Sequence, residues 1–195
     1  MSLLDTLTSQ LGGDFIGRIT SELDTDESTA KNAVNTGMAS ILGGLARNAA
    51  KPEGAQSLLS ALNRDHDGGV FSDVGGLLGG QRQAEGEGIL GHVFGNKREM
   101  VEASVGQSAG LDQKSSNKLM AMLAPAVMGA LGKQQREQGL DASGLAGFLG
   151  QQRQEVEKQV PQSSSLLGKF FDQDGDGDFD LGDVAKAGLG KLFGR

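Results

Sequence analysis

Apolar residues recur at helical spacing along nearly the whole chain. Leu3, Leu4, Leu7 and Leu11 form one stripe at i, i+3, i+4 intervals, and Phe15, Ile16 and Ile19 continue it beyond Gly12-Gly13, where the pattern predicts a weak point. Thr25 or Asp26 is suited to cap a second helix whose apolar face holds Ala33, Val34, Met38, Ile41, Leu42 and Leu45. Pro52 stands where a first-turn proline is tolerated and opens a third helix with Leu58, Leu59 and Leu62. The run Asn63-Arg-Asp65-His66-Asp67-Gly68-Gly69 predicts a turn. A short apolar helix with Val70, Phe71, Val74, Leu77 and Leu78 should follow, closed by Gly79-Gly80. Gln81 to Glu87 is polar and broken by glycine, so it reads as a surface loop ahead of a short helix with Ile89, Leu90, Val93 and Phe94. Further helices are expected over Arg98 to Gln107, Asp112 to Gln138 and Ala142 to Lys158, and Pro161-Gln-Ser-Ser-Ser165 reads as a linker. No segment alternates with β-branched enrichment, so the expected fold class is all-α.

Two stretches echo each other. Met38-Ala-Ser-Ile-Leu-Gly-Gly-Leu-Ala-Arg47 aligns with Ala124-Pro-Ala-Val-Met-Gly-Ala-Leu-Gly-Lys133. Leu23-Asp24 matches Leu111-Asp112 upstream, and Leu58 and Leu62 match Leu145 and Leu149 downstream. The echo predicts a multihelical body of two pseudo-repeated halves, against coincidence between glycine-rich helices.

Glycine supplies 32 of the 195 residues, about twice its ordinary share. Each costs a helix interior roughly 1 kcal/mol relative to alanine. Leu42-Gly-Gly-Leu45, Gly75-Gly-Leu-Leu-Gly-Gly80 and Gly88-Ile-Leu-Gly-His-Val-Phe-Gly95 set glycine beside large apolar groups. Close approach of helices would offset that cost. A phosphate cradle is the functional alternative, but no strand-loop-helix frame or Gly-Lys-Ser signature accompanies it.

Charge narrows the partners. The formal net charge is −7, and no basic run exceeds Lys97-Arg98, so binding to nucleic acid is not expected. The absence of Trp and Tyr removes the usual base-stacking platforms. The absence of Cys excludes disulfides and thiol catalysis and is compatible with a cytoplasmic location. Met1-Ser-Leu-Leu-Asp5 does not open a secretory signal. The longest uncharged apolar stretch, Leu119 to Gly132, is too short to span a bilayer and contains Pro125, so it reads as a buried helix rather than a membrane segment.

One segment carries distinctive chemistry: Asp172-Gln-Asp174-Gly-Asp176-Gly177-Asp178-Phe179-Asp180-Leu-Gly-Asp183. A helix-loop-helix calcium loop takes oxygens from positions 1, 3, 5, 7, 9 and 12, with glycine at 6 for a sharp turn. Counted from Asp172, those places fall on Asp172, Asp174, Asp176, Asp178, Asp180 and Asp183, with Gly177 at the sixth and Phe179 as apolar anchor at the eighth. The seventh position acts through its backbone carbonyl, which leaves the Asp178 side chain spare, and the ninth often acts through water. Neighbouring carboxylates repel by about 1 kcal/mol per pair even at near-water dielectric, so a cation is needed to compact the loop. Hard oxygen ligands select Ca²⁺, with Mg²⁺ as the competing ion, and exclude zinc in a chain with no Cys and two distant His. The other reading is an acidic, solvated linker.

Leu166, Leu167, Phe170 and Phe171 precede the loop, and Val184, Ala187, Leu189, Leu192 and Phe193 follow it. The second set, with Lys186, Lys191 and Arg195, is a basic amphipathic stretch that either docks on the helical body or touches anionic lipid. Asn63, Asp65, Asp67 and Gly68 occupy loop positions 1, 3, 5 and 6 of a poorer copy, but the acid Asp73 falls one residue early. That run is either a metal-free turn or a weak second site. His66 and His92 lack a Ser, Cys or metal partner in any recognisable motif and read as ordinary surface or packing residues.

Pro52-Glu-Gly-Ala-Gln-Ser-Leu-Leu59, the His66-Asp-Gly-Gly69 turn, Gly75 to Gly80, Gly88 to Gly95 and Leu123-Ala-Pro-Ala-Val-Met-Gly-Ala-Leu131 together resemble the YidB-like bacterial family, which carries the label domain of unknown function 937. The resemblance spans roughly residues 30 to 150. It implies a compact multihelical fold and no activity, and it transfers no catalytic residue. The acidic loop is similar to EF-hands and, in ending on Asp rather than Glu, to dockerin-like calcium segments.

The expected organisation is a YidB-like helical domain over 1–160, a Ser-rich linker over 161–168 and an EF-hand-like calcium-binding segment over 169–195. The expected function is non-enzymatic calcium binding, with Ca²⁺ ordering the C-terminal segment and docking it on the body or on a neighbouring subunit. The alternative is a self-assembling structural or interaction protein in which metal is incidental. An enzyme is disfavoured because no nucleophile-base pair, metal-His cluster or phosphate loop stands out; a deep polar pocket holding His92 near Glu99 or Glu102 would favour one.

Overall fold

A computed structural model describes residues 3–65, 76 and 82–159, and among these every regular element is helical. The elements are α1 (Leu3–Glu22), α2 (Glu27–Ala49), α3 (Pro52–Asp65), α4 (Gln83–Phe94), a 3₁₀ turn (Gly95–Lys97), α5 (Arg98–Ala109), α6 (Gln113–Gln138) and α7 (Ala142–Gln159).

Local chemistry sets the boundaries. Asp26 caps α2: its carboxylate accepts from the Thr29 N–H at 2.9 Å, the Thr29 hydroxyl at 2.7 Å and the Ser28 hydroxyl at 2.5 Å. Asp112 caps α6 in the same way, accepting from the Ser115 N–H at 2.9 Å and its hydroxyl at 3.0 Å. Gly110 and Gly139 close α5 and α6 in the left-handed conformation. Pro52 is the first residue of α3, where its missing N–H costs nothing.

Three boundaries differ from the expectations. α1 runs unbroken through Gly12-Gly13, held by Leu7, Phe15 and Ile19, all buried. Asn63, Arg64 and Asp65 are the last residues of α3 rather than a turn. Gln83 to Glu87 is the opening of α4 rather than a loop. Pairs one turn apart support that opening: Gln83 donates to Glu87 at 3.1 Å, and Arg82 meets Glu85 at 3.3 Å.

The axis of the body is α6. Every residue from Leu119 to Gly132 is buried, Pro125 included, and α1, α2, α3, α4 and α5 all pack on it. A helix apolar all round belongs in an interior. The helix continues through Pro125 even though proline removes one backbone hydrogen bond. α7 covers α2 and α3 through Leu145, Leu149 and Val156, and buried Gln152 accepts from the Leu3 N–H at 2.5 Å, tying α7 to the start of α1.

Glycine permits a close crossing of α4 and α6. At Gly86, in α4, a Cβ would collide with the Ala121 carbonyl of α6, so the two backbones touch directly. The sequence expectation that glycine serves helix packing holds there.

The Asp26 cap has a pH signature. The Ser28 hydroxyl, then the Thr29 hydroxyl and N–H, hold its carboxyl well below the usual carboxylate range. A depressed folded pKa adds stability above the unfolded value, near 4, that is lost as pH falls toward the folded value. Asp26→Ala is therefore expected to lower the thermal midpoint near pH 7, with the gap to wild type closing progressively below about pH 4. Melting curves across that range test it; a gap that stays constant into strong acid would remove the carboxylate from the account.

Candidate functional site

The six carboxylates of the acidic loop, Asp172, Asp174, Asp176, Asp178, Asp180 and Asp183, lie outside the described residues, as do His66, Asp67 and Asp73. Among the described residues, no group of three or more His, Asp or Glu side chains is placed to share a metal ion. Asp65, the described acid of the poorer loop, ends α3 and pairs with its neighbour: Arg64 Nε donates to its carboxylate at 2.8 Å.

The described surface carries a groove of about 880 Å³ between α3, the last turns of α2 and α4. Its apolar lining comes from Leu45, Leu58, Ala61, Ile89, Val93 and Met128. Asn48, Lys51, Glu53, Ser57, Ser60 and His92 supply polar groups. Asn48 Nδ2 donates to the Val93 carbonyl at 3.1 Å, which ties the end of α2 to the end of α4 and sets the width of the groove there.

His92 lines this groove with its ring orientation set locally. Nδ1 lies 2.8 Å from the Gly88 carbonyl. A carbonyl only accepts, so Nδ1 is the donor in this contact. Neither Glu99 nor Glu102 lines the groove. Glu99 is exposed, whereas Glu102 is buried and its carboxylate accepts from Arg98 Nε at 2.6 Å. The groove therefore holds His92 without Glu99 or Glu102 in its lining.

Two features escaped sequence reasoning. The Arg98–Glu102 pair, with Glu102 buried and Arg98 half-buried, is written as Arg-x-x-x-Glu, a spacing found on many exposed helices, and only the burial of Glu102 separates it from them. The groove is built by the consecutive helices α2 and α3 together with α4 and Met128 of α6, which are distant from them in sequence. A sequence signal for it is the polar face of α3, whose Glu53, Gln56, Ser57 and Ser60 all line it.

These features define an all-α body wound around a buried central helix, with an open groove on one side. No described helix is long and apolar enough to cross a membrane. The family described as bacterial protein of unknown function (DUF937) matches residues 5–134, and the chain belongs to it. The match reaches closer to the N-terminus than the resemblance indicated and stops before α7. No curated protein and no solved structure matches the chain.

Proposed function

We propose that the protein is a non-enzymatic calcium-binding protein in which Ca²⁺ orders the C-terminal segment. One observation carries this reading: oxygen-bearing residues fall at every ligand position of a twelve-residue calcium loop that starts at Asp172, with Gly177 at the sharp turn. Asp183 ends the loop with a side chain one methylene shorter than Glu, so bidentate ligation requires a tighter loop, and Mg²⁺ competes more effectively than at a Glu-terminated site. The reading includes a helix on each side of the loop and a cytoplasmic setting.

It also includes a body of two related halves. What supports that is the likeness of two capped helices: α2 and α6 each start from an Asp that receives a backbone N–H three residues on, and each is followed by a helix that buries two leucines four residues apart, Leu58 and Leu62 in α3, Leu145 and Leu149 in α7.

Calorimetric titration of Ca²⁺ and Mg²⁺ into the intact chain is the test. The wild type is expected to bind at least one Ca²⁺, and Asp172→Ala or Asp176→Ala to abolish that site. Titrations identical to wild type in both variants would refute the assignment. Sedimentation with and without chelator separates this reading from self-assembly with incidental metal, which predicts assembly that ignores the ion.

A further inference from the structure

We propose that the groove between α3 and α4 is the docking site for this chain's own residues 166–171, the apolar flank of the acidic loop. The inference rests on the proposed calcium function only for its dependence on the ion.

The groove and the segment complement each other. Leu58 and Ala61 of α3 and Ile89 and Val93 of α4 supply apolar lining to the groove, alongside Ser57, Ser60 and His92. A groove of this kind takes a short helix through anchors one turn apart. Leu166, Leu167, Phe170 and Phe171 stand at i, i+1, i+4 and i+5, the spacing of one helix face. Lys169 falls between the anchors, and the groove lining holds the carboxylates of Glu53 and Asp65 beside the cations Lys51 and Arg64.

Chain geometry allows the contact. α7 ends at Gln159 and packs on α3, the same helix that forms one wall of the groove. The intervening residues 160–165 span about 20 Å when extended. Passing around α3 requires roughly one helix diameter, about 10–12 Å. A segment tethered this closely reaches the groove at an effective concentration on the order of millimolar, so modest intrinsic affinity suffices.

The chain has no cysteine, so introduced pairs report without background. Full-length Ser57→Cys/Phe170→Cys would be oxidised in Ca²⁺ and in chelator, beside Asn32→Cys/Phe170→Cys. Ser57 lines the groove, and Asn32 is exposed about 20 Å back along α2 from Leu45. The expected result is an intramolecular disulfide at Ser57 forming at least about tenfold faster than at Asn32, and faster in Ca²⁺ than in chelator. Equal rates for the two pairs, or a disulfide joining two chains, would overturn the proposal. A fast Ser57 disulfide in both conditions would uphold the docking and count against calcium ordering. Calorimetry on the reduced variants shows independently whether the ion site is intact.

Discussion

Gly86→Ala is expected to destabilise the body by about 3 kcal/mol, the upper end of overpacking costs, and Gly86→Val to prevent folding. Alanine normally stabilises a helix interior by roughly 1 kcal/mol relative to glycine, so propensity predicts the opposite sign. The crossing decides the outcome. A Cβ at Gly86 would overlap the carbonyl of Ala121, which is backbone of a helix buried on all sides. Side chains can rotate away from an intruding methyl, as Leu123 could at Gly37, but a carbonyl inside an intact helix cannot. α4 would have to lift from α6, pulling Leu90 out of the core and displacing the groove wall formed by Ile89 and Val93. Gly91, in the same helix, has nothing within contact distance, so Gly91→Ala should gain stability where Gly86→Ala loses it. Urea unfolding of the two variants, followed by helical circular dichroism, checks the pair. Equal shifts of the same sign would show that propensity, not the crossing, governs α4.

The contrast between these glycines shows what could be read from the chain alone. Helical periodicity located α2, α5, α6 and α7 closely, because their buried faces repeat through several turns and Asp26 and Asp112 mark two of the starts. It failed at Gln83 to Glu87, where a glycine among polar residues looks like a loop. The residue that suggested the break, Gly86, is the one that lets α4 seat on α6. Gly12-Gly13 misled in a similar way, since the flanking Leu7, Phe15 and Ile19 are anchored and carry α1 across the weak point. Local pattern reports propensity, and here tertiary contact outweighs it. The groove was less legible still. Its lining comes from α2, α3, α4 and α6, and spacing within one helix says nothing about which other helices will stand opposite. The acidic loop is the reverse case: the spacing of its carboxylates is local and can be read in sequence, while its residues lie outside those the structure describes.

Loss of Arg98 should be far more damaging than loss of an exposed charged side chain. Arg98→Met is expected to cost about 3–5 kcal/mol, whereas Lys31→Ala, which removes another pair spaced i, i+4, should cost only a few tenths. The Lys31–Glu27 pair is exposed on both sides, so water solvates whichever charge remains. Glu102 is 1 % exposed, and with Arg98 gone its carboxylate would stay buried without its counter-charge. The pair also sits at a junction. Arg98 Nη1 donates to the Glu87 carbonyl of α4 at 3.3 Å, and the Ser116 hydroxyl of α6 donates to the Glu102 carbonyl at 2.5 Å. Arg98 thereby ties α5 to α4, while the Ser116 bond, made to the Glu102 backbone, ties α5 to α6 independently of the charges. Burial rather than attraction sets the cost, so the double variant Arg98→Met/Glu102→Met should be more stable than Arg98→Met alone, because it removes the stranded charge. A double-mutant cycle by chemical denaturation measures this directly. If the double variant were as unstable as the sum of the two single losses, the charges would be acting independently, and desolvation of Glu102 would not be the reason Arg98 is needed.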